Sequence, residues 1–322
     1  MQVEIDKALL AEFERTIDTA RPERSKIPIK VLGYGEISLV FEIIGDKHPL
    51  AYKRLPIFDD EAQVTRHVNA YKEYTRLLRE DVGIVVPWSD AAWFPSTEGR
   101  IVVLYCAQAK LDPNSIGNRV IHAVDEPNLK VLVASVMREL KKIWAFNKRQ
   151  SKIQVGIDGQ VSNWAVPGFD PASPVVDPAK PLSYIDTSTP MYRVDGAEAM
   201  DAVLFLKSAP GFLRGTLMGM LHEVVDRYYD WRLVANDFIA NFYKEQLPGS
   251  VPAVVASVNE FFGTEASEFG IKPFTVDEIK KYYKRDKQIW VLFQNMRRFD
   301  RFVKTKLLRR PYDFYLPGKI KR

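Results

Sequence analysis

Two short apolar runs that each end in an aspartate limit what this chain can fold into more than any other feature. The first run, residues 153–157, leads directly to Asp158, and Asn163 follows in the same segment. A second apolar run, residues 182–185, leads to Asp186. Runs of this length between turn residues are typical of short strands. The pattern therefore predicts two strand ends that each present an acidic group, an arrangement that suits metal and phosphate chemistry.

Each of these polar residues also has a purely structural interpretation. Asp158 precedes a glycine, a pair that favours β-turns, and Asn163 is able to satisfy backbone groups of a loop. Asp186 likewise suits an Asx-turn. The order of the three residues, after a long amphipathic helix predicted over 128–148, favours the chemical interpretation.

The composition indicates an ordinary globular chain. With 322 residues it is long enough for one large domain or two lobes. Its single cysteine, Cys106, excludes an internal disulfide, and residues 1–15 lack the apolar core of a signal peptide. No apolar run approaches the roughly 18 residues that suggest a membrane span. We therefore expect a cytoplasmic protein without a membrane span.

The net charge of +5 is concentrated near the end of the chain. Residues 296–322 hold ten Lys or Arg and two Asp, a net of +8 that leaves −3 for the rest. This near-neutral body argues against nucleic acid as a partner. In the basic C-terminal tail, Phe299, Phe302 and Leu307 alternate with Arg and Lys. That pattern fits docking on polyanions such as anionic lipid or RNA, but we favour a terminal helix that packs on the helical lobe.

Strands precede helices along the chain, which indicates an α+β fold with a sheet-rich lobe before a helical lobe. Proline and glycine clusters mark most of the boundaries between elements. The predicted elements are a lead-in helix over 4–20, strands near 28–32, 37–44 and 50–55, a helix over 59–80, strands near 84–87, 91–94 and 101–106, the helix over 128–148, and helices over 196–208, 211–229, 231–245, 251–262, 275–285 and 286–308.

Gly33 and Gly35 lie in a turn between two predicted strands. The segment after Gly35, ISLVFEI, is rich in β-branched and aromatic residues, so it predicts a strand and not the helix of a dinucleotide-binding unit. A glycine turn between antiparallel strands suits a lid whose backbone N–H groups cover nucleotide phosphates. The alternative is an ordinary hairpin turn.

Lys53 lies in the third predicted strand, where alternation puts it on the same face as Ala51 and Leu55. An ammonium group on an apolar face requires an anionic partner. We predict Glu73 of the following helix as that partner, with Glu61 in reserve. The alternative is that Lys53 is exposed and its neighbour Arg54 points inward.

With these residues in place, the chain resembles the protein-kinase-like superfamily. Within it, the nearer likeness is to the small-molecule branch, the aminoglycoside phosphotransferases and choline kinases. The resemblance covers residues 27–190 in the order of elements and implies a two-lobed fold, with an N-terminal antiparallel sheet lobe over 1–107 and a mainly helical C-terminal lobe over 108–322. The later helices match the family only in being helical.

The resemblance also implies roles for residues of the two lobes. Gly33 and Gly35 would lie over the phosphates of ATP. Lys53 would contact the α- and β-phosphates, held by Glu73. The hinge on which adenine rests would lie near residues 104–107.

In the helical lobe, the resemblance assigns Asp158 to accept the proton of the substrate hydroxyl. Asn163 and Asp186 would bind Mg²⁺. The implied function is an ATP- and Mg²⁺-dependent phosphotransferase that acts on a hydroxyl of a small molecule. The alternative is a pseudokinase, a nucleotide-binding or scaffolding module that is weak or inactive in catalysis.

Three departures from the family pattern favour that alternative. Gly156 stands where the family usually has His, and Thr187-Ser188 follows Asp186 in place of a Phe-Gly pair. Ser38 stands where a third glycine is usual in the glycine loop. The absence of an Ala-Pro-Glu motif also argues against a protein kinase with a regulated activation loop.

Overall fold

A five-stranded antiparallel sheet occupies the first third of the chain. The structure, a computed structural model, describes residues 3–35, 38–96, 101–209, 211, 214–310 and 312–316. The sheet has the strand order β1-β2-β3-β5-β4, so the antiparallel sheet expected from the sequence is confirmed. Its strands are β1 (Ile29–Tyr34), β2 (Leu39–Ile43), β3 (Leu50–Phe58), β4 (Ser89–Pro95) and β5 (Val102–Ala109).

Helix α1 (Lys7–Thr16) covers one face of this sheet. Asp6 caps the helix by accepting a hydrogen bond from the Leu9 backbone N–H at 2.9 Å. Leu10 and Phe13 are fully buried against the strands. The lead-in helix predicted from the sequence is therefore present, and its apolar stripe explains where it packs.

Helix α2 (Glu61–Arg76) packs on the opposite face and lies between β3 and β4 in the chain. Asp60 caps it through the backbone N–H of Gln63. A π-helical turn extends the helix from Leu77 to Val82, and Gly83 ends it with a φ of +83°. The helix predicted over 59–80 is thus confirmed.

The rest of the chain is mainly helical and has its own large core. The predicted helix over 128–148 is present as α4, and its long apolar stripe lies at the centre of that core. The helices are α3 (Gly117–Ala123), α4 (Glu126–Arg149), α5 (Arg214–Asp226), α6 (Trp231–Lys244), α7 (Val251–Gly263) and α8 (Val276–Phe302). Among the described residues, no helix has both the length and the apolar character required to cross a bilayer.

A β-hairpin replaces the start of the helix predicted over 196–208. Strand β9 (Tyr192–Val194) pairs with β10 (Ala197–Glu198) on one side and with β6 (Ile153–Val155) on the other, which gives a three-stranded sheet. Asp195 and Gly196, with φ values of 49° and 82°, form the two-residue turn. Asp-Gly is among the best sequence signals for such a turn, so the hairpin was predictable. Only a 3₁₀ segment, Ala202–Ser208, follows.

One further predicted boundary and one predicted strand are wrong. Helix α8 runs unbroken from Val276 to Phe302, although a break was predicted at 285/286. No proline or glycine interrupts it there, which is the physical reason for its continuity. The strand predicted near 84–87 is reduced to a single bridge between Val85 and Ser183.

The end of the described chain returns to the sheet. Tyr312, Phe314 and Leu316 are buried in the cluster that contains Leu55 and Phe58 of β3. Residues 312–316 therefore pack on the sheet. The prediction that Phe299, Phe302 and Leu307 pack on the helical lobe is wrong, because all three side chains are exposed. Residues 317–322 of the basic tail lie outside the described residues. The boundary predicted between residues 107 and 108 falls inside β5.

Candidate functional site

Two very short strands bring Asn163 and Asp186 side by side. Strand β7 (Trp164–Ala165) pairs antiparallel with β8 (Ser183–Tyr184). The backbone N–H of Ile185 donates to the carbonyl of Asn163 at 2.9 Å. Asn163 directly precedes β7 and Asp186 follows β8 by two residues, so both lie at the same end of the two-stranded ladder.

Lys53 reaches this pair of residues from the sheet. Its Nζ lies 2.9 Å from Asp186 Oδ1, and each side chain is 21% exposed. Ser188 donates its hydroxyl to the same carboxylate oxygen at 3.1 Å. The prediction that Lys53 points toward Asp186 is confirmed, and the adjacent Arg54 is buried on the opposite face of β3.

The glycine turn between β1 and β2 approaches the side chain of Lys53. The backbone N–H of Gly35 donates to the carbonyl of Ser38 at 2.9 Å. A Cβ at Gly35 would lie 2.6 Å from Ser38 Oγ and 3.7 Å from Lys53 Cε, so this position has no room for a side chain. Gly33 lies beside a bulge in β1, and a Cβ there would meet no atom within 4 Å. Residues 36–37 of the turn lie outside the described residues.

Glu73 does not hold Lys53, so that predicted pair is wrong. Its carboxylate accepts two hydrogen bonds from Arg76, at 2.8 and 3.0 Å, and it is 40% exposed. Glu61, the reserve candidate, is exposed at the start of α2. The face that α2 turns to the protein interior carries His67 and Tyr71, and Glu73 lies two residues, about 200° of helical rotation, beyond Tyr71.

His67 of α2 contacts the segment that follows Asp186, and its role was not expected from the sequence. Its Nε2 lies 3.1 Å from the carbonyl of Ser188, and its ring is buried. Burial, assisted by the charge of Lys53, lowers the pKa of His67 to about 4 despite the Ser188 hydrogen bond. The neutral imidazole therefore donates from Nε2. Its position in the apolar stripe of α2 was the available sequence signal.

The carboxylate of Asp158 lies in an unfavourable environment for negative charge. Burial, with further contributions from the charges of Asp237 and Asp186, raises its pKa to about 7. The backbone N–H of Gln160 donates to Asp158 Oδ1 at 3.1 Å and partly opposes this shift. Asn163 Nδ2 donates to the backbone carbonyl of Asp158 at 3.1 Å, so the two predicted residues are joined in one loop.

Helix α6 forms hydrogen bonds to the loop that follows Asp158. Asn241 Oδ1 accepts the backbone N–H of Val161 at 3.2 Å, and Lys244 Nζ donates to Gln160 Oε1 at 2.6 Å. Asp237 lies on the same face of α6, because it is four and seven residues before the other two. The sequence around these residues carries no signal of this role, since the pairing of α6 with the loop is a long-range contact.

Gly156 stands where packing leaves no space for a side chain. A Cβ at this position would lie 2.9 Å from the ring of Tyr229, which fills the space. The carbonyl of Gly156 accepts the hydroxyl of Tyr74 at 2.9 Å. Two tyrosines therefore fix the backbone two residues before Asp158.

The segment predicted as an adenine hinge lies instead inside strand β5. Residues 104–107 lie in β5, between β3 and β4, and their backbone groups face both neighbouring strands. That prediction is wrong because β5 continues to Ala109. The side chain of Gln108 donates to Thr187 Oγ1 at 3.0 Å, so the end of β5 contacts the Asp186 segment directly.

The side chains of the candidate site offer mainly oxygen atoms as possible metal ligands. Across the part of the chain that the structure describes, no three His, Cys, Asp or Glu side chains gather as a metal site. The adjacent pair Asn163 and Asp186 offers an amide and a carboxylate, oxygen donors of the kind that Mg²⁺ accepts when phosphates or waters complete its shell.

The raised pKa of Asp158 predicts that its replacement stabilises the fold at alkaline pH. The folded-state value of about 7 exceeds the ordinary 3.8, so stability contributed by the protonated form is present below pH 4 and is lost as pH rises through 7. At pH 8, Asp158→Asn should therefore raise the free energy of unfolding by on the order of 2 kcal/mol, and the melting temperature should rise with it. The gain should shrink toward pH 4 in thermal melts.

Exposed Asp170 provides the control for these melts, because Asp170→Asn should change the melting temperature equally little at both pH values. A stabilisation by Asp158→Asn that is the same at pH 4 and pH 8 would contradict the assigned pKa.

Sequence comparison places this site in a larger group of proteins. The model of the family of unknown function DUF6206 matches residues 12–301. The chain belongs to this family. The match spans both the sheet and the helical part of the DUF6206 chain, including every residue of the site. None of the curated proteins matches the chain.

Proposed function

We propose that this DUF6206 chain is an ATP- and Mg²⁺-dependent phosphotransferase that acts on a hydroxyl of a small molecule. The observation that carries the proposal is the 2.9 Å ion pair between Lys53 and Asp186, with Asn163 beside it. Kinases use a Lys on the third strand for the phosphates, and an Asn and a downstream Asp for Mg²⁺. The sheet would be the first lobe of a kinase-like fold and the helical part the second.

The residues present fit Mg²⁺ and ATP. Asn163 and Asp186 supply oxygen donors, and Lys53 supplies a positive charge for phosphate oxygens. Gly35 leaves free the space that a Cβ would take beside Lys53 and Ser38. When bound, Mg²⁺ and ATP supply the phosphoryl group and neutralise its charge.

In this proposal Asp158 orients the acceptor hydroxyl and accepts its proton. A carboxylate with a pKa of about 7 is a stronger base than an ordinary aspartate, and proton transfer is most effective when this value is near the working pH. Lys53 stabilises negative charge that develops on the transferred group. Two hydrogen bonds keep the loop of Asp158 in place: Asn241 accepts from the backbone N–H of Val161, and Lys244 donates to Gln160. The use of ATP implies a cytoplasmic protein.

The pseudokinase is the second candidate, because two observations favour it. The α2 face toward Lys53 carries His67 where kinases place the glutamate that holds the lysine. Lys53 is held by Asp186 itself, which the same scheme reserves for Mg²⁺. An enzyme of this kind must release Asp186 from Lys53 when nucleotide enters; a scaffold has no such requirement.

A thermal-shift titration tests nucleotide binding. A ligand that binds only the folded chain stabilises it by about 2.7 kcal/mol at a concentration of 100 Kd. We expect ATP to raise the melting temperature of the wild type when Mg²⁺ is present, and much less without it. Asp186→Ala and Asp186→Asn should each lose most of this Mg²⁺-dependent shift, measured against the nucleotide-free melt of the same variant.

Exposed Asp177 provides the matched control, because Asp177→Ala should keep the full ATP shift. If neither ATP nor GTP shifts the wild-type melt at millimolar concentration, the chain is neither a kinase nor a nucleotide-binding pseudokinase.

A further inference from the structure

Helix α8 exposes an apolar stripe over its second half. Leu292, Phe299 and Phe302 are 58%, 57% and 54% exposed. Residues spaced by three, four and seven positions share one side of a helix, so these three form a single stripe with Asn295. Val291 adjoins it and is also exposed. We call Val291, Leu292, Asn295, Phe299 and Phe302 the α8 stripe.

The orientation of this stripe is fixed by the opposite side of the helix. Gln294 and Arg297 are 1% and 0% exposed. Arg297 Nη2 donates to the carbonyl of Tyr315 at 3.2 Å, which ties α8 to the terminal segment. Rotation of α8 to hide Phe299 and Phe302 would remove Arg297 from that environment. The aromatic side chains therefore face outward in the folded chain.

The exposed charges that α8 and the residues after it place around the α8 stripe are mainly positive, and one acidic side chain of α5, Glu223, lies 3.6 Å from Arg285. Lys281 and Lys284 precede Phe299 and Phe302 by eighteen residues each, which is five helical turns, so they point in the same directions. Both lysines are exposed. Over residues 288–310, which the structure describes throughout, the exposed charged residues are Arg298, Lys306, Arg309 and Arg310. No acidic residue in that range is exposed.

We propose that the α8 stripe docks on the surface of a membrane that contains anionic phospholipid. A helix with an exposed apolar side and basic residues around it lies in the bilayer interface, held by apolar insertion and by attraction to acidic headgroups. Basic residues complement that surface, and large aliphatic and aromatic side chains insert into it. This surface is separate from the Lys53–Asp186 site, so it does not depend on the proposed phosphotransfer.

Charge and side-chain chemistry favour lipid over three other occupants. A second copy would bring a basic face against an identical basic face. Residues 317–322 of the same chain hold three further cations and no acidic residue, so they are no better a complement. Single-stranded RNA binds by stacking on aromatic rings, whereas Val291 and Leu292 have no stacking surface.

Vesicle co-sedimentation of the full chain tests the proposal. The wild type should bind vesicles of phosphatidylcholine with phosphatidylglycerol, and not vesicles of phosphatidylcholine alone. Phe299→Ser combined with Phe302→Ser should weaken this binding at least about tenfold, because two apolar side chains no longer insert. Lys281→Glu combined with Lys284→Glu should also weaken it, and added salt should weaken wild-type binding.

Ile44→Ser is the matched control, since Ile44 is 56% exposed on the sheet side of the protein and its loss should leave vesicle binding unchanged. All variants should keep the wild-type melting temperature, because the altered side chains are exposed. Three results would overturn the proposal: equal binding to neutral and anionic vesicles, binding to oligouridine in place of vesicles, or a wild-type dimer that the Phe299/Phe302 variant abolishes while vesicles are ignored.

Discussion

Replacing Asp158 by Asn is expected to lower phosphoryl transfer by about 10²–10⁴-fold, the usual contribution of a positioned base. Asparagine keeps the size and most hydrogen bonds of the side chain but cannot accept the proton. Affinity for Mg²⁺-ATP should hardly change, because Asp158 faces the acceptor in this proposal and Asp186 faces the nucleotide. Transfer to a panel of small-molecule hydroxyls, or slow ATP hydrolysis, is the measurement of activity.

The pH profile separates a lost base from a disturbed fold. Wild-type turnover should rise as pH passes through about 7, where Asp158 loses its proton. Asp237→Asn should move that rise to lower pH, because it removes a negative charge that raises the pKa of Asp158. The Asp158→Asn variant should lose this dependence. Full activity in Asp158→Asn would refute the assignment of the base, and nucleotide binding without any transfer would favour the pseudokinase.

The local parts of the site were predictable from the sequence. Short apolar runs that end in Asp158 and Asp186 predict strand ends, and alternation in β3 predicts the side to which Lys53 points. The strand ends are predicted from residues that are immediate neighbours in the chain, and the direction of Lys53 is predicted from side chains two residues apart in one strand. The α+β class and helix α2, which lies between β3 and β4 along the chain, followed for the same reason, since each is a property of continuous segments.

The long-range parts were not predictable in the same way. Which side of α2 faces Lys53 depends on how the helix docks on the sheet. The pairing of Glu73 with Arg76 is local, because residues three apart on a helix are neighbours, and it takes Glu73 away from Lys53. The support of the Asp158 loop by α6 joins residues about 80 positions apart, as in the bond from Val161 to Asn241. The return of Tyr312 to the sheet spans the whole chain.

That return depends on a buried ion pair. Arg54 donates two hydrogen bonds to Glu14, both at 2.8 Å, and a third to the carbonyl of Asp313 at 2.8 Å. The two side chains are 7% and 2% exposed. Burial opposes the charge of Arg54, but the hydrogen bonds and charge of Glu14 outweigh it and raise the pKa of the guanidinium. Tyr105 donates its hydroxyl to Glu14 as well.

Arg54→Met should therefore lower the free energy of unfolding by about 3–5 kcal/mol, because it leaves the Glu14 carboxylate buried without its cation. Urea denaturation provides the measurement. Arg138→Met is the matched control: Arg138 binds Glu265 in the same two-pronged way, with both bonds at 2.7 Å, but each side chain is 43% exposed. An exposed pair contributes about 0–1 kcal/mol, so the control should differ little from the wild type.

A second variant distinguishes an unpaired charge from a lost contact. Adding Glu14→Leu to Arg54→Met removes the buried charge altogether, and apolar replacements of buried ion pairs are often tolerated. The double variant should be more stable than Arg54→Met alone, yet less stable than the wild type, because the Tyr105 hydroxyl and the Asp313 carbonyl lose their partners. If Arg54→Met costs no more than Arg138→Met, the ion pair does not hold α1, β3 and the terminal segment together.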